Sequence, residues 1–142
     1  RFDLKSKKAL QRDQKFYLAD MAIYFAMNTD NRFSFGPSLE NIVYLYLASH
    51  DYQISIGKIG KLECDFIVRD KKQNYAYVKV AYTLHGEDEK ATERIKEREY
   101  RPFRDIRDEY PRYIISLDKY RDQQEGVHHI NAIDLFLGKE SI

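Results

Sequence analysis

Apolar and polar positions repeat with two different periods along this chain, and the change of period marks out its elements. From Leu39 the apolar residues recur at Ile42, Val43, Tyr46 and Leu47, a helical stripe in steps of three and four. Gly36-Pro37-Ser38 stands before it and offers a break, a proline suited to a first turn and an N-cap candidate. This predicts a helix ending near His50-Asp51. The period then falls to two. Tyr52, Ile54 and Ile56, then Leu62, Cys64, Phe66 and Val68, then Tyr75, Tyr77, Lys79 and Ala81 each alternate with a second set, which predicts three strands. Residues 57–60 and 70–74 carry turn chemistry, so the three strands are expected to form an antiparallel meander.

Outside that centre the pattern is plainer. Residues 1–14 are polar and basic and read as extended. Phe16, Leu18, Met21, Ile23 and Phe25 predict a short strand or turn followed by a short helix, and residues 28–34 a turn. Residues 87–107 are highly charged and free of glycine and predict a solvated helix, broken or restarted near Pro102. Residues 113–117 read as a buried strand and residues 127–130 as a last one, with Asp134 to Leu137 as an apolar cap. The order predicts an α/β domain with a mixed sheet flanked by helices.

Composition narrows the class. The 142 residues are 43% hydrophobic and 33% charged, a globular balance sufficient for one domain with its own core. The formal net charge of +1 gives no global support to strong phosphate binding, and leaves room only for a local patch. Cys64 is the only cysteine, so neither an internal disulfide nor a cysteine-rich zinc site is available, and the cytoplasm is the expected location. No apolar run approaches the about 20 residues of a membrane span. The chain starts at Arg1 without an apolar leader, and is expected to be a piece of a longer protein or a chain whose first ordered residue is Arg1.

Several short motifs, in order, resemble one family. Gly36-Pro37-Ser38-Leu39-Glu40-Asn41-Ile42-Val43 is similar to a G-x-x-L-E-N-x-V helix, and Ile56-Gly57-Lys58 to a V-G-K turn. Glu63-Cys64-Asp65-Phe66 resembles an E-[IV]-D-F strand, and Tyr77-Val78-Lys79-Val80 a Y-I-[QE]-V strand. Arg98-Glu99 and Asp108-Glu109-Tyr110-Pro111-Arg112 resemble its R-E … D-x-Y-P-K stretch. Together they resemble the C-terminal domain of unknown function of bacterial and archaeal AAA-type ATPases. The resemblance implies a PD-(D/E)XK, restriction-endonuclease-like core over residues 36–142. It also implies that residues 1–35 are a lead-in from an upstream ATPase region, where any ATP would bind.

In that fold the resemblance implies a site built on the meander. An Asp on the second strand and an E-x-K pair on the third hold Mg²⁺, often with a Glu from the first helix. The metal polarises the phosphate and generates the hydroxide nucleophile. Glu40 and Asp65 match two of these positions. Lys79 falls where the carboxylate belongs and Ala81 where the lysine belongs. A cation in a ligand's slot repels Mg²⁺ and pairs with Asp65 or Glu40 instead. Glu40, Asp65 and Lys79 are therefore expected to be a remnant site, an ion-pair cluster without catalysis. A rearranged Mg²⁺ site is the alternative, with Glu63 joining Asp65 and Glu40 as ligands and Lys79 as the catalytic lysine.

Other features have plain explanations. Gly57-Lys58-Ile59-Gly60-Lys61 lacks the spacing of a phosphate loop. His128 and His129 are adjacent on a strand and face opposite ways, so one buried and one exposed ring is expected. Arg98, Arg101 and Arg104 are candidate phosphate contacts, but acidic residues interleave with them and favour a solvated helix laced with ion pairs. The 12 tyrosines, among them Tyr44, Tyr46, Tyr52, Tyr75, Tyr77 and Tyr82, fit either packing of a small sheet or an associating face. Cys64 is expected to point into the core as an inert thiol. The expected role is a non-catalytic accessory domain that positions or recognises a nucleic-acid or protein partner. An active Mg²⁺-dependent nuclease and a homo-oligomerisation module are the alternatives, and no membrane is involved.

Overall fold

The computed structural model describes residues 2–3, 8–9, 15–27, 35–59, 62–121 and 123–142. One mixed sheet carries the fold. In chain order its elements are β1 (Phe2–Asp3), β2 (Lys8–Ala9), α1 (Met21–Met27), α2 (Phe35–Ser49), β3 (Gln53–Ile59), β4 (Leu62–Arg69) and β5 (Tyr75–Val80). They continue with α3 (Glu89–Arg104), β6 (Arg112–Ser116), β7 (Val127–Asn131) and α4 (Ala132–Phe136). The strand order is β2-β1-β3-β4-β5-β6-β7. The meander β3-β4-β5 is antiparallel as expected, but it is only the middle of the sheet. Beyond α3, β6 pairs parallel to β5 and β7 parallel to β6, while β1 runs parallel to β3 on the other side.

Two apolar layers cover the sheet. Leu39, Val43 and Leu47 of α2 pack with Phe66, Val68, Ala76 and Val78 on one face, joined by Ile130 and Leu135. Tyr100 and Phe103 of α3 pack with Cys64, Ile67, Tyr77 and Ala81 on the other. Neighbouring residues of β5 fall into different layers, as a strand's alternation requires.

Several local expectations need correction. The α2 helix begins at Phe35, so Ser38 lies inside it rather than at its N-cap, and Pro37 sits in the first turn, where its missing N–H costs nothing. Gly57, Lys58 and Ile59 belong to β3 rather than to a turn. Residues 60 and 61, between β3 and β4, and the predicted turn at 28–34 lie outside the described residues. Pro102 lies inside α3 and does not break it. Asp88 starts that helix, its side chain accepting a bond from the Ala91 N–H (2.7 Å). Nor is α3 wholly solvated, since Glu99, Tyr100, Pro102 and Phe103 are buried.

The position that shapes the site is a bulge. Ser55 pairs with Ile67 and Gly57 with Cys64, so two steps on β3 answer three on β4. The extra residue lies in Asp65-Phe66, opposite Ile56. It breaks the alternation and puts Cys64 in the same layer as Ile67, whereas Phe66 lies in the other. Gly57 is the partner this permits. A Cβ there would lie 2.9 Å from Ile67 Cγ1 and 3.2 Å from both Cβ and O of Cys64.

Candidate functional site: a buried carboxylate and lysine cluster

The site forms where β4 and β5 part. Their pairing runs from Arg69–Tyr75 to Phe66–Val78. Past it the Asp65 side chain, only 4% exposed as a residue, receives the N–H of Val80 on Oδ2 (2.7 Å). A carboxylate thus takes the backbone donor at the fork, and the bulge aims it there.

Lys79 reaches Asp65 from β5, its Nζ 3.2 Å from both carboxylate oxygens. The same ammonium lies 3.6 Å from Oε2 of Glu99 on α3. Glu99 Oε1 in turn receives Arg98 Nε at 2.7 Å and Nη2 at 2.6 Å. On the other side of the sheet, Glu40 of α2 accepts from Lys15 Nζ and from the Tyr17 hydroxyl, both at 2.7 Å on Oε1. Lys15 Nζ also stands 3.9 Å from Asp65 Oδ1. The segment bearing Lys15 and Tyr17 is fastened to α2 by Asn41. This buried amide accepts from the Leu18 N–H (2.8 Å) and donates to its carbonyl (3.0 Å). Tyr17 stacks on Tyr44 with ring centroids 4.2 Å apart.

Three carboxylates, Glu40, Asp65 and Glu99, are therefore met by three cations, Lys15, Lys79 and Arg98. The electrostatics follow. Burial pushes the Asp65 carboxyl above its usual range, against the pull of Lys79 and the Val80 N–H. Burial works to lower Lys79, but Asp65 and Glu99 outweigh it and hold the ammonium above its ordinary value. Burial first, and then the bond to Glu40, raises Tyr17. Cys64, also in the core, is pushed up to about 12 by burial, which leaves an inert thiol.

The structure thus brings Glu40, Asp65 and Lys79 into one cluster, with Lys79 on Asp65 and Lys15 on Glu40. Glu63 is exposed on β4, whereas Asp65 is buried. These residues do not fit a Mg²⁺ site. The position between Asp65 and Glu99 is taken by the Lys79 ammonium, and among the described residues no group of three or more His, Cys, Asp or Glu is placed to hold a metal ion.

Glu99 is the member that sequence reasoning missed, hidden in a run of charged residues. Its signal was there. Ala91, Ile95, Glu99 and Phe103 are spaced by four, which sets this carboxylate on the buried stripe of α3.

The other candidates resolve separately. Arg98 pairs with Glu99, Arg104 with Glu97 (2.8 Å) and Glu125 (2.8 Å), and Arg101 is exposed on the same helix. Tyr77 is buried, Tyr44, Tyr46, Tyr52 and Tyr75 are half-buried, and Tyr82 alone of the six is exposed. His129 is buried and His128 exposed. A second polar cluster lies at the ends of β5, β6 and β7. Asp118 accepts from Thr83 Oγ1 (2.6 Å), the Leu84 N–H (2.6 Å) and Ser116 Oγ (2.9 Å), and Ser116 Oγ is 2.8 Å from His129 Nε2. Its bonds tie the strand ends together.

A protein of Haemophilus influenzae, named only as uncharacterized, is 28% identical over 138 residues. The match covers 96% of this chain and 32% of that protein, so the chain spans about a third of its relative's length. No family model matches the chain, and no solved structure matches it. Among the described residues, no helix is long and apolar enough to cross a membrane.

Proposed function

We propose that this chain is a non-catalytic accessory domain of a prokaryotic AAA-type ATPase, with a degenerate restriction-endonuclease-like site, and that it positions or recognises a nucleic-acid or protein partner. The observation that carries this reading is the Lys79 ammonium, lodged 3.2 Å from Asp65 and 3.6 Å from Glu99. A nuclease of this type needs a divalent cation against the Asp65 carboxylate, and here a side-chain cation satisfies it. Lys15 does the same for Glu40. The order α2, antiparallel β3-β4-β5, α3, parallel β6 supports the restriction-endonuclease-like reading, as does a carboxylate at a fork between β4 and β5. The 32% share of the Haemophilus influenzae protein leaves room for an ATPase module there. ATP and its Mg²⁺ would belong to that module, and the domain's place is in the cytoplasm.

Titration calorimetry with Mg²⁺ and Mn²⁺ tests the reading, on the chain and on its Asp65→Ala variant. No binding heat is expected from either. Saturable binding that Asp65→Ala abolishes, together with metal-dependent cleavage of DNA or RNA, would overturn the proposal in favour of an active nuclease.

A further inference from the structure

Residues 15–20 lie in neither helix nor strand, and of them only Tyr17 is other than exposed. Apolar burial is too small to hold such a segment, so its place is set by particular contacts. Three residues of α2 supply them. Asn41, only 7% exposed, uses both ends of its amide on Leu18, accepting its N–H (2.8 Å) and donating to its carbonyl (3.0 Å). Glu40 accepts on one oxygen from the Lys15 ammonium and the Tyr17 hydroxyl, both at 2.7 Å. Tyr44 stacks on the Tyr17 ring, with centroids 4.2 Å apart.

We propose that Lys15–Leu18 is a latch, which closes one side of the Asp65 cluster and opens without unfolding of the sheet. Closure brings the Lys15 ammonium to 2.7 Å from Glu40 and 3.9 Å from Asp65. Opening withdraws it and leaves Glu40 beside Asp65 with one cation fewer, which turns a balanced cluster into a negative one. These two carboxylates already oppose each other, since burial chiefly, and Glu40 with it, push the Asp65 carboxyl up. The contacts that open are ones water can replace. Once uncovered, Glu40, the Asn41 amide, the Tyr17 hydroxyl and the Lys15 ammonium can all be hydrated, so no buried donor or acceptor is orphaned. Lys79 differs, because it reaches Asp65 from within β5 and cannot leave without the sheet. The cluster thus has one fixed cation and one detachable cation. The latch rests on the proposed function in one respect only, that the region placed upstream there is what would work it.

Hydrogen exchange of the whole chain, followed residue by residue, tests it. The Leu18 amide, whose acceptor is the Asn41 side chain, should exchange through an opening insensitive to low urea. The Tyr77 and Ala81 amides, bonded to the carbonyls of Pro111 and Ile115, should exchange only by global unfolding and respond steeply to urea. Glu40→Gln removes the charge that Lys15 meets, and Tyr17→Phe removes the hydroxyl but keeps the ring. Each should speed Leu18 exchange by about tenfold and leave Tyr77 and Ala81 nearly unchanged. Leu18 exchanging together with Tyr77 and Ala81 at every urea concentration would overturn the proposal, because the segment would then be an integral part of the fold. So would a Leu18 rate that neither variant changes. Neither result depends on whether the chain binds a metal ion, so the latch and the non-catalytic reading of the cluster fail separately.

Discussion

Replacing Lys79 by methionine removes the ammonium but keeps most of the stem, so it isolates the charge. In the wild-type protein that ammonium lies 3.2 Å from both oxygens of Asp65, in a site where the lysine side chain is 16% exposed and the aspartate side chain 6%. Removing one partner of a buried pair leaves the other charge uncompensated, at a cost of about 3–5 kcal/mol. Lys15 remains 3.9 Å from Asp65, and Arg98 remains on Glu99, so the low end applies, about 3 kcal/mol. For a domain of this size that corresponds to roughly 10 °C in Tm. The loss should depend on pH, with a definite sign. Asp65 is already raised by burial, and without Lys79 it rises further. A carboxyl raised in the folded state binds protons more readily there than in the unfolded chain. Its folded form is therefore relatively favoured below the unfolded value and penalised as pH climbs through the folded one. The deficit of Lys79→Met against wild type should shrink as pH falls through the raised folded value and Asp65 takes up a proton. Urea unfolding of both proteins across that range measures it. A deficit under about 1 kcal/mol at neutral pH, or one that does not change with pH, would show that the ammonium does not hold this cluster together.

Two further substitutions probe the surroundings. Gly57→Ala drives a methyl to 2.9 Å from Ile67 Cγ1 and 3.2 Å from the Cys64 backbone, so a loss of about 1–3 kcal/mol is expected, and an unchanged urea midpoint would mean that the bulge yields easily. Asp118→Asn weakens the bonds from Thr83, Leu84 and Ser116 by about 1–2 kcal/mol at neutral pH. Although burial alone would raise Asp118, those donors lower it, so its contribution is present above the ordinary carboxylate range and is lost as pH falls through the lowered value. Thermal melts should therefore show wild type and variant converging in acid, and a constant gap would contradict this account.

The parts of the site visible in the sequence are those that lie on regular elements. Glu40 sits on a well-marked helical stripe, and Lys79 on a strand whose alternation is unbroken through Ala81, so their elements and faces could be read from period alone. The order of helix, meander, helix and strands was legible for the same reason. Asp65 was placed on the right strand, but the bulge beside it was not foreseen. Leu62 to Phe66 alternate apolar and polar residues before the apolar run Phe66-Ile67-Val68, and nothing in that pattern announces an extra residue. A bulge is decided by pairing, here by Gly57 on the facing strand, so it depends on a relation between strands that local pattern does not encode. The parallel attachment of β6 and β7 and the docking of Leu18 through Asn41 are non-local in the same way.

The bulge also explains why the cluster can draw on both layers. Glu40 belongs to the helix that packs against Phe66 and Val78, and Glu99 to the helix that packs against Tyr77 and Ala81, so the two approach from opposite faces of the sheet. A regularly paired β4 and β5 would keep them apart. The pairing instead ends at Phe66–Val78, and Asp65 fills the opening as an acceptor for Val80. Lys79, on the Glu99 side, then reaches Asp65, and Lys15, on the Glu40 side, reaches the same carboxylate. Such a cluster contributes little net stability over an apolar replacement of the same shape, because desolvating Asp65, Glu99 and Lys79 offsets most of their attraction. What it does fix is position. Both helices and the fork are held to one carboxylate, and any single uncompensated change there exposes a buried charge.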